Sequence, residues 1–264
     1  LGLAGMAAAT LTAGAVLLGL AGLALWSVAG FWTFPDAWPD SLTLRAWMRH
    51  APGLRDPVLE TVIIALAATL IALALTLACL QAEHRFGLSP GTRSLWLLYL
   101  PLLIPQIAFL PGLQTLALIA GADMGRGVVI LGHVVFVLPY VFLSLGDPFR
   151  KWDTRHATIA AALGAPPRRT FWTIRLPMLL APVLTAAAVG FGVSVGQYLP
   201  TLLIGGGRVQ TLTTEAVALA SGGDRRVIGI YALAQTGVVI LGFAAALLLP
   251  RLAWANRRAL RAAA

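Results

Sequence analysis

The 264-residue chain is 59% hydrophobic and only 11% charged, with a mean hydropathy of +0.85, which leaves too little polar surface to clothe a water-soluble globule of this size. Its net charge of +9 would suit a nucleic-acid binder, but the basic residues stand between apolar runs and after the last one, where they orient a membrane protein instead of forming one soluble face. A single cysteine, Cys79, excludes an intramolecular disulfide and a cysteine metal cluster within one chain, and its apolar setting reads as that of an inert packing residue.

Residues 1–35 carry no charge, a run longer than the ~20 residues that cross a bilayer, and the first span falls within residues 9–31. A signal peptide would have a shorter apolar core, ~7–15 residues, behind a basic region, and neither condition holds. Residues 32–57 are rich in Trp, Pro, Asp and Arg and read as a loop outside the membrane, with Trp32 and Trp38 suited to an interfacial aromatic belt. Uncharged runs follow at 61–82, 94–122, 127–146, 176–207 and 227–250, each long enough for one crossing. The expected fold is therefore all-α: a polytopic membrane protein with six transmembrane helices in one domain, residues 1–264. Pro101, Pro105 and Pro111 should bend or interrupt the third span, which should then face protein, because lipid offers no partner for freed carbonyls. Within the loop 205–226, Gly205, Gly206 and Gly207 precede an apolar stretch at 216–220 that suits a short re-entrant or surface helix.

Orientation follows from the basic residues. With the N-terminus inside, the inner loops and tail hold twelve: Arg85, Arg93, Arg150, Lys151, Arg155, Arg168, Arg169, Arg175, Arg251, Arg257, Arg258 and Arg261. The outer loops hold seven: Arg45, Arg49, Arg55, Arg126, Arg208, Arg225 and Arg226. The positive-inside rule then puts residues 153–177 in the cytoplasm.

That segment, the longest polar interruption between apolar runs, has helical grammar of its own. Ala160 to Leu163 lead to Gly164, and glycine just past a helix closes its last turn in the left-handed conformation at little cost. Pro166 and Pro167 lack the donors of a helix interior but suit a first turn, so they begin a second helix carrying Arg168, Arg169, Phe171, Trp172 and Ile174. Two short helices should meet at a glycine elbow. Gly164, nine residues, Ile174, one residue, then Leu176 and Pro177 resemble the G-x9-I-x-L-P core of the signature loop of inner-membrane permease subunits of binding-protein-dependent ABC importers. Where that family usually has Glu-Ala-Ala, this chain has Thr158, Ile159 and Ala160.

The resemblance implies that the loop, about residues 150–176, is the coupling helix that fits a cleft on an ATPase subunit. It also implies a soluble periplasmic or extracellular solute-binding protein and a second permease half, as homodimer, heterodimer or fused chain. The setting would be a bacterial inner membrane and its lipid, with no nucleic-acid partner. Residues 196–219, after the signature, look closest to permeases of the thiamine, ferric-iron and polyamine type. The chain begins with Leu instead of Met, in keeping with one half of a fused twin permease. No resident cofactor is expected, and ATP and Mg would be bound by the ATPase. The chain's only lysine, Lys151, is followed by Trp152, so it has no P-loop lysine of its own.

Three further patterns bear on function. Residues 192–196, GVSVG, satisfy G-x-S-x-G, but inside an apolar span they read as the G-x-x-x-G of close helix packing. Gln106, Ser194, Gln197 and Tyr198 are the candidates for lining a translocation route, and interhelical hydrogen bonding accounts for each of them equally well. His133, in the fourth span, is either a paired core histidine or a relay.

Two other classes stay open. An ion-coupled secondary transporter would need mid-membrane ionisable residues, for which His133 is the one candidate, and a polytopic membrane enzyme would need an acid pair or metal cluster. The basic and aromatic residues of the loop also suit an interfacial helix lying on anionic lipid.

Overall fold

The computed structural model describes residues 3–32 and 36–253, and Arg257, Arg258 and Arg261 of the charge count lie outside the described residues. Contacts gather into two compact units, Leu1–Thr61 with Gln210–Val238, and Val62–Val209 with Val239–Ala264. Among the described residues four helices are long and apolar enough to cross a membrane, and two bent helix pairs would bring the number to six if each is one span.

In the first unit, α1 (Leu3–Val28) is apolar around its whole circumference and leaves Leu11, Leu17 and Leu18 at least 65% exposed, as a helix solvated by acyl chains does. Its end is tied down where Gly30 N–H donates to the Ser41 carbonyl (2.8 Å) and Thr43 N–H to the Val28 carbonyl (2.7 Å). Helix α2 (Arg45–Phe86), which belongs to the first unit as far as Thr61 and to the second from Val62, departs from the sequence expectation: residues 45–57, read as loop, are its first turns, so the helix has 42 residues. At 1.5 Å per residue that is roughly 60 Å, about twice the hydrocarbon thickness of a bilayer. Pro52 and Pro57 lie inside it, and Thr61 Oγ1 donates to the Pro57 carbonyl (2.7 Å) while accepting Leu212 N–H (2.9 Å). The charges and prolines that suggested a loop are outweighed by packing, for Trp47, Leu54 and Val58 lie against Leu212, Ile230 and Tyr231. The short helix expected in 205–226 is α11 (Leu212–Ala220), started by a capping box between Thr211 and Thr214; the long α12 (Arg225–Ala253) follows. The α12 helix continues into the second unit at Val239.

In the second unit the broken third span is α3 (Thr92–Leu103) and α4 (Gln106–Ile119), which meet at 108°. The break is at Pro105, whose extended backbone (φ −54°, ψ 130°) precedes α4, whereas Pro101 and Pro111 are carried inside the two helices. The pair faces protein along one side: Leu95, Leu98 and Tyr99 of α3 pack on the cluster that holds Phe142 and Leu145, and Phe109, Leu110 and Leu113 of α4 pack with Phe136 and Ile204, Leu110 being the one residue of α3 and α4 that is fully buried.

The core is α5 (Arg126–Arg150) against α9 (Leu180–Val195), joined through Val137, Val141, Leu145, Val183 and Ala186. Gly190 permits this approach, since a Cβ there would stand 2.7 Å from Val141 Cγ2 and 3.1 Å from Val137 Cγ1. The fifth run, 176–207, is not one helix: a 72° bend precedes α9, and α10 (Leu199–Ile204) follows after a turn at Gly196. Gly192 of GVSVG packs toward α12, where a Cβ would meet Phe243 at 3.3 Å, and Ser194 is helical, not on a strand-to-helix elbow. Cys79 is exposed on α2, contrary to the packing role expected of it, because an apolar sequence neighbourhood marks contact with lipid as readily as contact with protein.

Candidate coupling elbow and polar network

Residues 153–178 form a helix, a left-handed turn and a second helix, as their sequence suggests. Asp153 Oδ1 accepts Arg155 N–H (2.9 Å) at the start of α6 (Arg155–Ala162). Gly164 has φ +77°; its N–H donates to the Ala161 carbonyl and Ala165 N–H to the Ala160 carbonyl, both at 2.9 Å, the bond pair of a Schellman closure. Pro166 is extended and Pro167 opens α7 (Pro167–Thr170). From Phe171 to Arg175 the helix widens to one π-turn, in which Leu176 N–H reaches the Phe171 carbonyl, before α8 (Leu176–Met178). Pro177 explains the widening: its ring would press on the carbonyl four residues back.

The elbow has two faces. Outward stand Thr158, Ile159, Gly164, Arg168 and Arg169 of the predicted set. With them stand Leu163, 83% exposed, and Trp172, 59% exposed, neither of which the signature pattern singled out. Inward lie Ala160, which is buried, and Phe171, Ile174 and Leu176, which pack on the α5–α9 core; Pro177 is half-buried.

Arg175, which sequence reasoning used only for orientation, is 3% exposed and anchors the elbow. It donates to Gln81 Oε1 (3.1 Å) and the Phe149 carbonyl (3.0 Å), and its guanidinium lies 3.9 Å from the Phe149 ring centroid and 4.8 Å from that of Trp152. Burial lowers its pKa to about 10, so it stays charged at neutral pH. The available signal was its place between Ile174 and Leu176, both directed into the core.

Three of the four route candidates join one network. Gln106 Nε2 donates to Gln197 Oε1 (3.0 Å), His133 Nδ1 meets Ser194 Oγ (2.8 Å), and His133 Nε2 meets Thr201 Oγ1 (2.9 Å). Thr201 Oγ1 in turn lies 2.6 Å from the Gln197 carbonyl. His133, Ser194, Gln197 and Thr201 are all buried, whereas Tyr198 is half-buried at the head of α10. Thr201 was missed, since one threonine in an apolar helix gives no pattern to read.

Four long apolar helices and two bent apolar helix pairs mark a multi-pass membrane protein. Residues 74–254 match the family described as binding-protein-dependent transport system inner membrane component, and the chain belongs to that family. It is 38% identical to the inner membrane ABC transporter permease protein YnjC of Escherichia coli K12 over 206 residues, 78% of this chain but only 39% of YnjC. It is 30% identical to the molybdenum transport system permease protein ModB of Mycobacterium tuberculosis over 65% of this chain and 68% of that protein. The putrescine transport system permease protein PotI of E. coli K12 is 28% identical over 73% of this chain and 71% of its own length.

Proposed function

We propose that this chain is the permease subunit of an ATP-driven importer in a bacterial inner membrane. It passes a small solute, delivered outside by a soluble binding protein, and is not itself an enzyme: a separate ATPase, holding ATP and Mg, closes on the elbow and drives the spans between inward-open and outward-open states. The observation that carries the reading is the outward face of the elbow, where Ile159, Leu163 and Trp172 stand exposed around Gly164 beside Arg168 and Arg169, within a chain of the permease family. Exposed apolar side chains rimmed by charge mark a docking surface. A second permease half, in the same polypeptide or another, completes the route, and Gln106, Ser194, Gln197 and Tyr198 border it where the spans bend. An ion-coupled carrier gains no support from the geometry, because His133 is engaged by two hydroxyls.

The test is solute uptake into proteoliposomes holding the permease, with and without its ATPase and binding protein. Uptake should require all of them and ATP hydrolysis; uptake that persists without the ATPase overturns the reading.

A further inference from the structure

At the C-terminal end of α1 a pocket of about 470 Å³ is lined by Trp26, Trp32, Asp36, Asp224, Arg225 and Arg226, all within the first unit. Its level follows from the helices that reach it. Two of those long and apolar enough to cross a membrane terminate here, Gly5–Val28 with its last turn and Arg225–Pro250 with its first, and the Arg225 guanidinium lies 5.1 Å from the Trp26 ring centroid. Trp26 and Trp32 stack with their centroids 4.2 Å apart. Tryptophans beside arginines, where two apolar helices stop, belong at the headgroup layer of a bilayer. Acyl chains cover the exposed apolar length of α1, so the headgroups of those lipids stand at the pocket.

The charges of the pocket are reachable and of both signs. Asp36, Asp224 and Arg225 are exposed, and Arg226 is half-buried. Trp32 Nε1 donates to the Asp36 carbonyl (2.9 Å), which seats Asp36 at the pocket, and Asp224 Oδ1 accepts Arg226 N–H (3.0 Å) at the start of α12. Among the described residues no ion pair engages the carboxylates of Asp36 and Asp224 or the guanidiniums of Arg225 and Arg226. Two cations and two anions that line one pocket without pairing suit a ligand that carries both charges. A guanidinium over an indole ring keeps its edge N–H groups free for a phosphate. A carboxylate only accepts, so it suits an ammonium that still has N–H groups to donate.

We propose that this pocket binds the zwitterionic headgroup of a phosphatidylethanolamine-type lipid. Arg225 and Arg226 hold the phosphodiester, Asp36 and Asp224 hold the primary ammonium, and the acyl chains run along α1. A choline headgroup has no N–H on its quaternary nitrogen and loses the bonds to the carboxylates; an anionic glycerol headgroup is opposed by them. The site uses no residue of the elbow and no ATPase, so it stands or falls apart from the proposed function.

The experiment places the full chain in nanodiscs of equal parts phosphatidylethanolamine, phosphatidylcholine and phosphatidylglycerol, and native mass spectrometry counts the lipids of each kind that the released protein retains. The wild type should keep one phosphatidylethanolamine, preferred about fivefold over phosphatidylcholine, as solvent-exposed charge pairing allows. Asp36→Asn with Asp224→Asn removes both negative charges while asparagine still caps α12, and should erase that preference. Arg226→Gln should lower retention of phosphatidylethanolamine and phosphatidylcholine alike, since both present the same phosphodiester. The proposal is overturned if the wild type retains the three lipids in equal proportion, or if the double asparagine variant keeps the wild-type preference. It is also overturned if free glycerophosphoethanolamine, at a concentration equal to that of the lipid, abolishes the retention, for the ligand would then be a soluble solute.

Discussion

Gly164 holds φ +77° in open space: a Cβ built there meets nothing within 4 Å. Any effect of substitution on the free chain is therefore one of backbone conformation, not of collision. For an L-residue the left-handed region costs about 1–2 kcal/mol, with Asn spared most of it and β-branched residues penalised most. If the closed elbow is the form the ATPase binds, Gly164→Val lowers the population of that form by the same free energy. At 1.4 kcal/mol per tenfold, ATPase affinity then falls about 5- to 30-fold, while Gly164→Asn stays within about threefold of wild type. The assay is titration of purified ATPase subunit onto the permease in nanodiscs, with the amount of inserted permease measured separately. Equal weakening by Val and Asn would refute the reasoning, for it would mean that the partner needs the empty space and not the turn. Undiminished binding by the Val variant would refute it outright.

Three other substitutions probe the remaining parts. Ile159→Asp with Leu163→Asp changes two exposed side chains, so the melting temperature of the permease should hold while co-purification of the ATPase is lost. His133→Leu leaves Ser194 and Thr201 without the imidazole that joins them, and should cost about 1–3 kcal/mol, read as a lower melting temperature in detergent; an unchanged value would show that the network carries no stability. Gly190→Val forces α5 and α9 apart against Val141 and Val137 and should destabilise the fold by about 1–3 kcal/mol, whereas Gly237→Val on α12, where nothing lies within 4 Å, should be tolerated.

The elbow was legible because its signals are local: glycine past an alanine run and paired prolines at a first turn fix backbone conformation whatever packs around them. The π-turn was not, since it depends on where the Pro177 ring meets a helix already anchored by Arg175, and that anchorage is tertiary. Hydropathy placed the apolar runs well but not their ends. It missed the first turns of α2, whose stability comes from Trp47, Leu54 and Val58 against other helices. It also could not say which of three prolines breaks the third span. The polar network was half legible: glutamine, serine and histidine in apolar runs announce that partners are needed, but not that His133 would join Ser194 to Thr201. Cys79 shows the reverse limit, for its neighbours in sequence said apolar and only the fold says which side.

The central claim is that the elbow is the surface on which a separate ATPase acts, and site-directed cross-linking tests it most directly. Cys79 is the chain's only cysteine, so in a Cys79→Ala background Leu163→Cys supplies one thiol at the crest of the elbow. In sealed inside-out vesicles containing the whole transporter, that thiol should cross-link to the ATPase subunit and be shielded by it from a membrane-impermeant maleimide. If it reacts only from the opposite face of the membrane, or stays fully reactive with the ATPase bound, the claim is contradicted.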